Sequence, residues 1–256
     1  MSSIDPPKLK YRYNPEPRLS ANQLAEYLKA SPPRRKQIVK AAKFPKTVVV
    51  AQYKGARDAL AKFMCDSARD QKILLTAVEA LTEREAKTSA TDWVKDDARR
   101  SIEAISAFQK NANAMGVPKL DCKPIVSGQP LLHISGVDVS VSMDATIHRL
   151  GKDGSNLVGG VIFLLSKADE ASAKARAERC RVSAVLAYLF AKEHLSYLGT
   201  ADPKLCYSFD VMAGRAVQAP TAHKTLIDHM NDSCEEVVLR WKEMAPPDDY
   251  DGPAWK

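Results

Sequence analysis

Apolar and polar residues alternate singly from Val137 to Ser142: Val137, Val139 and Val141 are interleaved with Asp138, Ser140 and Ser142. Alternation that is rich in β-branched residues predicts a half-buried strand, and the short apolar run Leu131–Ile134 ahead of it predicts another. Met143 to His148 continues the extended pattern. Lys152-Asp153-Gly154-Ser155 supplies a polar turn, after which Gly159 to Leu165 is apolar almost throughout and Ser166-Lys167 closes the run on a cation. A strand of that composition is expected to be buried on both faces. The pair Gly159-Gly160 within it reads as a bulge or a close approach of a neighbouring strand.

On either side of this stretch the period becomes helical. Ser20 is placed as an N-cap, with Leu24, Tyr27 and Leu28 on one face, and Ser31-Pro32-Pro33 ends that helix and opens the next, because proline suits a first helical turn. Val48-Val49-Val50-Ala51 reads as a strand or as the lead-in to a helix from Lys54 to Met64. Further helices are predicted from Gln71, from Asp92 to Met115, from Asp169 to His194 and from Thr221 to Met244, with strands at Lys204–Val211 and Ala216–Ala219. The fold class is therefore α+β: a helical N-terminal region followed by an αβββαβ core with a mixed sheet flanked by helices. The expected divisions are a flexible segment over 1–17, a basic helical region over 18–90, the core over 91–244 and a flexible acidic tail over 245–256. The two end segments are assigned as flexible because Pro6, Pro7, Pro15 and Pro17 in one, and three Pro and three Asp in the other, leave little apolar surface to bury.

Composition narrows the class. At 45% apolar and 27% charged, the 256 residues are those of an ordinary globular protein. No apolar run reaches the ~20 residues needed to cross a bilayer. The first residues lack the apolar core of a signal peptide, so a cytoplasmic location without a membrane partner is expected. The five cysteines are widely spaced, with no CxxC pair. They read as reduced, mostly buried thiols and not as a zinc site or a disulfide frame. Charge is uneven: residues 1–60 hold 13 Lys and Arg against 4 Asp and Glu, whereas the remaining 196 hold 25 against 27. Arg34, Arg35, Lys36, Lys40, Lys43 and Lys46 follow one another without an acid. Such a run commonly forms a solvated helix face; its position after a short helix and turn also suits contact with a nucleic-acid backbone.

The order of elements, with Asp144 at the second strand and Lys167 at the end of the third, resembles the PD-(D/E)XK nuclease superfamily, whose core is αβββαβ. The resemblance spans about half the chain. It implies a Mg²⁺ or Mn²⁺ site in which Asp144 is a ligand and Lys167 positions water or stabilises charge, since hard divalent ions take carboxylate oxygens. The sequence departs from the family at Leu165, where a second acid is expected two residues before Lys167. Asp169, just beyond, and Glu103, on the preceding helix, are the acids that would have to substitute. His133 and His148 stand alone, and an isolated histidine is more often a satisfied structural residue than a base. Walker, GxGxxG, GxSxG and HExxH motifs are absent from the sequence.

Three functions follow as expectations. The first is a nucleic-acid-binding protein with a nuclease-like core whose metal site is incomplete or rearranged. The second is an active metal-dependent nuclease using Asp144, Lys167 and either Glu103 or Asp169. The third, by resemblance to short bacterial proteins of this layout, is a non-enzymatic subunit that docks a protein partner in a bacterial complex, such as one for antiphage defence.

Overall fold

The computed structural model describes residues 9–47, 52–166 and 173–255. In chain order its elements are β1 (Arg18–Ser20), α1 (Ala21–Tyr27), α2 (Pro32–Lys43), α3 (Lys54–Cys65), α4 (Lys72–Ala86), α5 (Asp92–Asn111), a 3₁₀ turn (Val117–Lys119) and β2 (Asp121–Lys123). There follow β3 (Leu131–Ile134), β4 (Val137–Ser140), β5 (Ala145–Leu150), β6 (Asn156–Leu164), α6 (Ala173–His194), β7 (Thr200–Asp210), β8 (Arg215–Gln218) and α7 (Lys224–Glu243). The class is α+β, as the periodicities predict. The Val48–Ala51 run lies outside the described residues, as do Lys167 and Asp169.

Contacts group the chain into two compact units, and the expected division at residue 90 is not among their borders. One unit takes residues 1–50, 133–140 and 227–256; the other takes 51–132 and 141–226.

In the first unit, Ser20 caps α1 through a reciprocal pair: its hydroxyl accepts from the Gln23 amide at 3.2 Å while its own amide donates to the Gln23 side chain at 2.8 Å. Pro32 and Pro33 occupy the first turn of α2, where no amide is needed. β1 lies parallel to β4, and β3 flanks β4 on the other side. Ser135 and Gly136, both with positive φ, make the two-residue turn between β3 and β4. Leu24, Tyr27, Ile38, Val39, Val137, Val139, Val237 and Trp241 form its interior. The two proline-rich ends, which sequence assigns as flexible, hold each other. Amides of Lys10 and Tyr11 donate to Asp251 Oδ1 at 2.8 and 3.2 Å, the Tyr11 hydroxyl donates to Asp249 at 3.0 Å, and the Phe44 and Tyr250 rings meet edge to face at 5.1 Å. Each segment lacks enough apolar surface alone; paired, their polar groups find partners.

The second unit is built on a five-stranded sheet in the order β2-β5-β6-β7-β8. β5 is antiparallel to β2 and β6, β6 is parallel to β7, and β8 is antiparallel to β7. Val161, Phe163 and Leu165, alternate residues at and just past the end of β6, face a core filled by Leu60, Phe63, Leu74, Ile105 and Phe108 of α3–α5. Phe63, Phe108, Phe163 and Phe209 run through it as a chain of ring contacts at 5.9, 6.3 and 6.2 Å. Each such pair adds about 1 kcal/mol to the area buried. α6 joins β6 to β7 and packs along β6, β7 and β8. Its buried Val182, Val185, Leu186 and Phe190 lie outside the α3–α5 core, which places α6 on the opposite face.

The register of β6 against β7 shifts between Val158 and Gly160. A Cβ on Gly159 would stand 2.3 Å from the Leu205 carbonyl oxygen, so the close approach expected of the glycine pair is a requirement of the backbone. The strand assignments need one correction. The alternating residues 137–140 belong to the smaller sheet beside β1, and the first strand of the large sheet is β2, whose three residues are too few to show a period. All five cysteines are free; Cys65 is partly exposed and the other four are buried.

Candidate functional site

Asp144 immediately precedes β5, and its amide donates to the Val161 carbonyl at 2.8 Å, which fixes the residue against the end of β6. Its carboxylate is buried and fully engaged. Arg57 Nη1 donates to both oxygens at 2.6 and 2.7 Å, and the Phe163 amide donates to Oδ2 at 2.7 Å. Arg57 Nη2 completes the contact by donating to the Phe163 carbonyl at 3.0 Å.

Arg57 reaches this position because the start of α3 is anchored from α5. Tyr53, in a left-handed conformation, donates its amide to buried Asp97 at 2.7 Å, and the Arg57 amide closes the first helical turn on the Tyr53 carbonyl at 2.9 Å. Asp97 is itself paired with Arg84 at 3.6 Å. Burial pushes the Asp144 carboxyl up to about 6, against the opposing pull of the Arg57 guanidinium and the Phe163 amide.

A second buried pair stands at the same end of the sheet. Leu164 of β6 lies opposite Asp210, the last residue of β7. Asp210 is 1% exposed and is bridged by Arg176 of α6 through Nε at 2.7 Å and through Nη2. Arg176 also donates to the Ser166 carbonyl at 3.1 Å, and the Ala213 amide donates to Asp210 Oδ1 at 3.2 Å. The Asp210 hydrogen bond raises the Arg176 pKa further.

Asp144 is at the rim, but both its oxygens are bound to protein donors. Leu165, in the position where the resemblance asks for an acid, is 3% exposed within the α3–α5 core. Glu103 is half-buried on α5. Lys167 and Asp169 lie outside the described residues. Among the described residues, no three His, Cys, Asp or Glu side chains come together as a group able to hold a metal. The described residues do not fit the divalent cation that the resemblance implies.

The basic run separates. Arg34 pairs with Glu26 at 2.7 Å, and Arg35 pairs with Glu236 at 2.8 Å while lying over the Tyr27 ring. Lys43 is 2% exposed and donates to the carbonyls of Trp241 and Met244 at 2.7 and 3.0 Å, capping the end of α7. Its expected contact with a phosphate is corrected by that burial, which also lowers its pKa. Lys36 and Lys40 line a cavity of about 330 Å³ with Arg240 and Glu243, and Lys46 is exposed.

Sequence reasoning did not single out Arg57, Arg176 or Asp210. Asp210 had a usable signal, since it ends an alternating strand on an acid much as the β6 run ends on a cation. Arg57 and Arg176 had none: each sits on a helix whose outer face is already charged, and their partners are 87 and 34 residues away. No protein-family model matches this chain, and comparison with curated proteins returns no match.

Proposed function

We propose that this chain is a nucleic-acid-binding protein whose nuclease-like core carries a fixed guanidinium where a metal would otherwise serve. The observation that carries this reading is Asp144: an acid at the start of the core's second strand, with both oxygens held by Arg57 and one of them also by the Phe163 amide. Arg57 meets both carboxylate oxygens through Nη1 and holds the Phe163 carbonyl through Nη2, a fixed cation that needs no exchangeable ligand. The order α5, β2, β5, β6, α6, β7 supports the kinship, with β3 and β4 set aside as an insertion between its first two strands. The exposed cations of α2, with Lys36 and Lys40 near Arg240, supply the charge for phosphate contact.

Affinity is then dominated by counterion release, so it falls steeply with salt and depends little on sequence. Fluorescence anisotropy on labelled oligonucleotides from low to moderate salt is expected to show this, and Lys36→Glu/Lys40→Glu should flatten the log–log slope by about 2. Absence of binding at low salt would overturn the reading; a partner that co-purifies in that case points to a docking subunit. Cleavage in Mg²⁺ or Mn²⁺ that disappears in Asp144→Ala would overturn the non-catalytic part and identify an active nuclease.

A further inference from the structure

The flank of the large sheet along β5 and the β5–β6 turn is constructed differently. The β5–β6 hairpin, the segment after β2 and the turn after α6 enclose a cavity of about 560 Å³, lined by Lys123, Val126, Thr146, His148, Leu150 and Tyr197 among others. Val126, Leu150 and Tyr197 are 74%, 71% and 74% exposed, and among the described residues of this unit they are three of the four large apolar side chains left in solvent. Scattered apolar residues are ordinary on a surface; three gathered on one cavity mark an interaction site.

The cavity wall carries a polar pair. Thr146, almost wholly buried, places its hydroxyl 2.9 Å from His148 Nε2 and 3.2 Å from the Lys123 carbonyl. That hydroxyl has one proton. If it goes to the carbonyl, His148 must donate from Nε2, and Nδ1 is an acceptor; if it goes to Nε2, Nδ1 is a donor. Burial and then the nearby Lys123 disfavour the charged imidazole, against an opposing pull from Asp121, which also lines the cavity. Asn156, also on the wall, can donate and accept.

We infer that this cavity binds a nucleobase of a single-stranded nucleic acid, an inference that rests on the function proposed above. A flat heteroaromatic ring with mixed donors and acceptors on its edge matches Tyr197 as a stacking surface and His148 and Asn156 as edge partners. The Lys123 ammonium gives the attached phosphate a counter-charge. Duplex DNA does not offer an unstacked base, so the cavity selects single strands.

The test is anisotropy of the full chain with a labelled ten-nucleotide single strand and with the matching duplex, for wild type, Tyr197→Ala and Lys36→Glu/Lys40→Glu. Tyr197→Ala is expected to weaken single-strand binding by about tenfold, the loss of one stacked base, and to leave duplex binding unchanged. In wild type the His148 ring signals should move on addition of the single strand. Unchanged single-strand affinity in Tyr197→Ala, with a clear loss in the lysine variant, overturns this site and leaves the general nucleic-acid reading standing. No binding of either probe by wild type overturns both. A change of sedimentation with Tyr197→Ala, without loss of affinity, overturns it in favour of a protein-docking face.

Discussion

Two regions of the five-stranded sheet treat their polar groups in opposite ways: the strand-end rim of β6 and β7, and the flank along β5. At the strand-end rim, Asp144 and Asp210 are each held by an arginine and by a backbone amide, three hydrogen bonds to each carboxylate. Along β5, Thr146 and His148 are only partly occupied by each other and border a cavity rimmed with exposed apolar side chains. A closed set of charges rigidifies; a half-used set, with unburied carbon beside it, is what a ligand completes. The strand ends that carry Asp144 and Asp210 are closed by arginines, and on the function proposed above binding lies elsewhere.

The largest test of this contrast is Arg57→Met. It leaves the Asp144 carboxylate buried without its cation and should cost about 3–5 kcal/mol in urea unfolding. Adding Asp144→Asn is expected to recover at least half of that, because the stranded charge is removed. A loss below about 1 kcal/mol for Arg57→Met would mean the rim is not closed by this pair.

Titration gives the next effect. The folded pKa of Asp144, about 6, lies above the ordinary 3.8, so the folded state binds the proton more tightly than the unfolded state. Stability from this group is fully present below pH 3.8 and is lost as pH rises through about 6. At about 1.4 kcal/mol per unit, wild type should lose on the order of 3 kcal/mol relative to Asp144→Asn across that window. Parallel stability curves for the two proteins would contradict it.

The smallest effect belongs to the open flank: Tyr197→Ala and Leu150→Ser should each change stability by less than about 0.5 kcal/mol, since both side chains already lie in water. A larger loss would make them structural and weaken their use as probes of binding.

Much of this plan can be read from the chain. The helical stripes of α3, α5 and α7 and the apolar run of β6 declare themselves because burial on a regular surface imposes a period. The same logic hides β1 and β2, three residues each, and it cannot say which sheet an alternating strand will join. Val137 and Val139 look alike whether they sit beside Leu19 or beside Ile147; pairing is decided by distant partners. Asp144 is visible as an acid among β-branched residues, but Arg57 and its anchoring through Tyr53 and Asp97 depend on how α3 and α5 pack. Lys43 misleads for a related reason: it continues a cationic run, yet its ammonium serves the carbonyls that end α7.

Because residues 51–132 and 141–226 form one unit while the other collects residues from three separate stretches, the order of emergence during synthesis matters. The larger unit has all its parts once residue 226 has left the ribosome, whereas residues 9–47 must wait for the return of 227–255. The clasp between Lys10 and Asp251, 241 positions apart, is then among the last contacts to form. Until it does, β1 can already pair with β4, but Tyr11 and the buried Lys43 are without their partners on the returning segment, and that is the part of the early segment left uncovered longest.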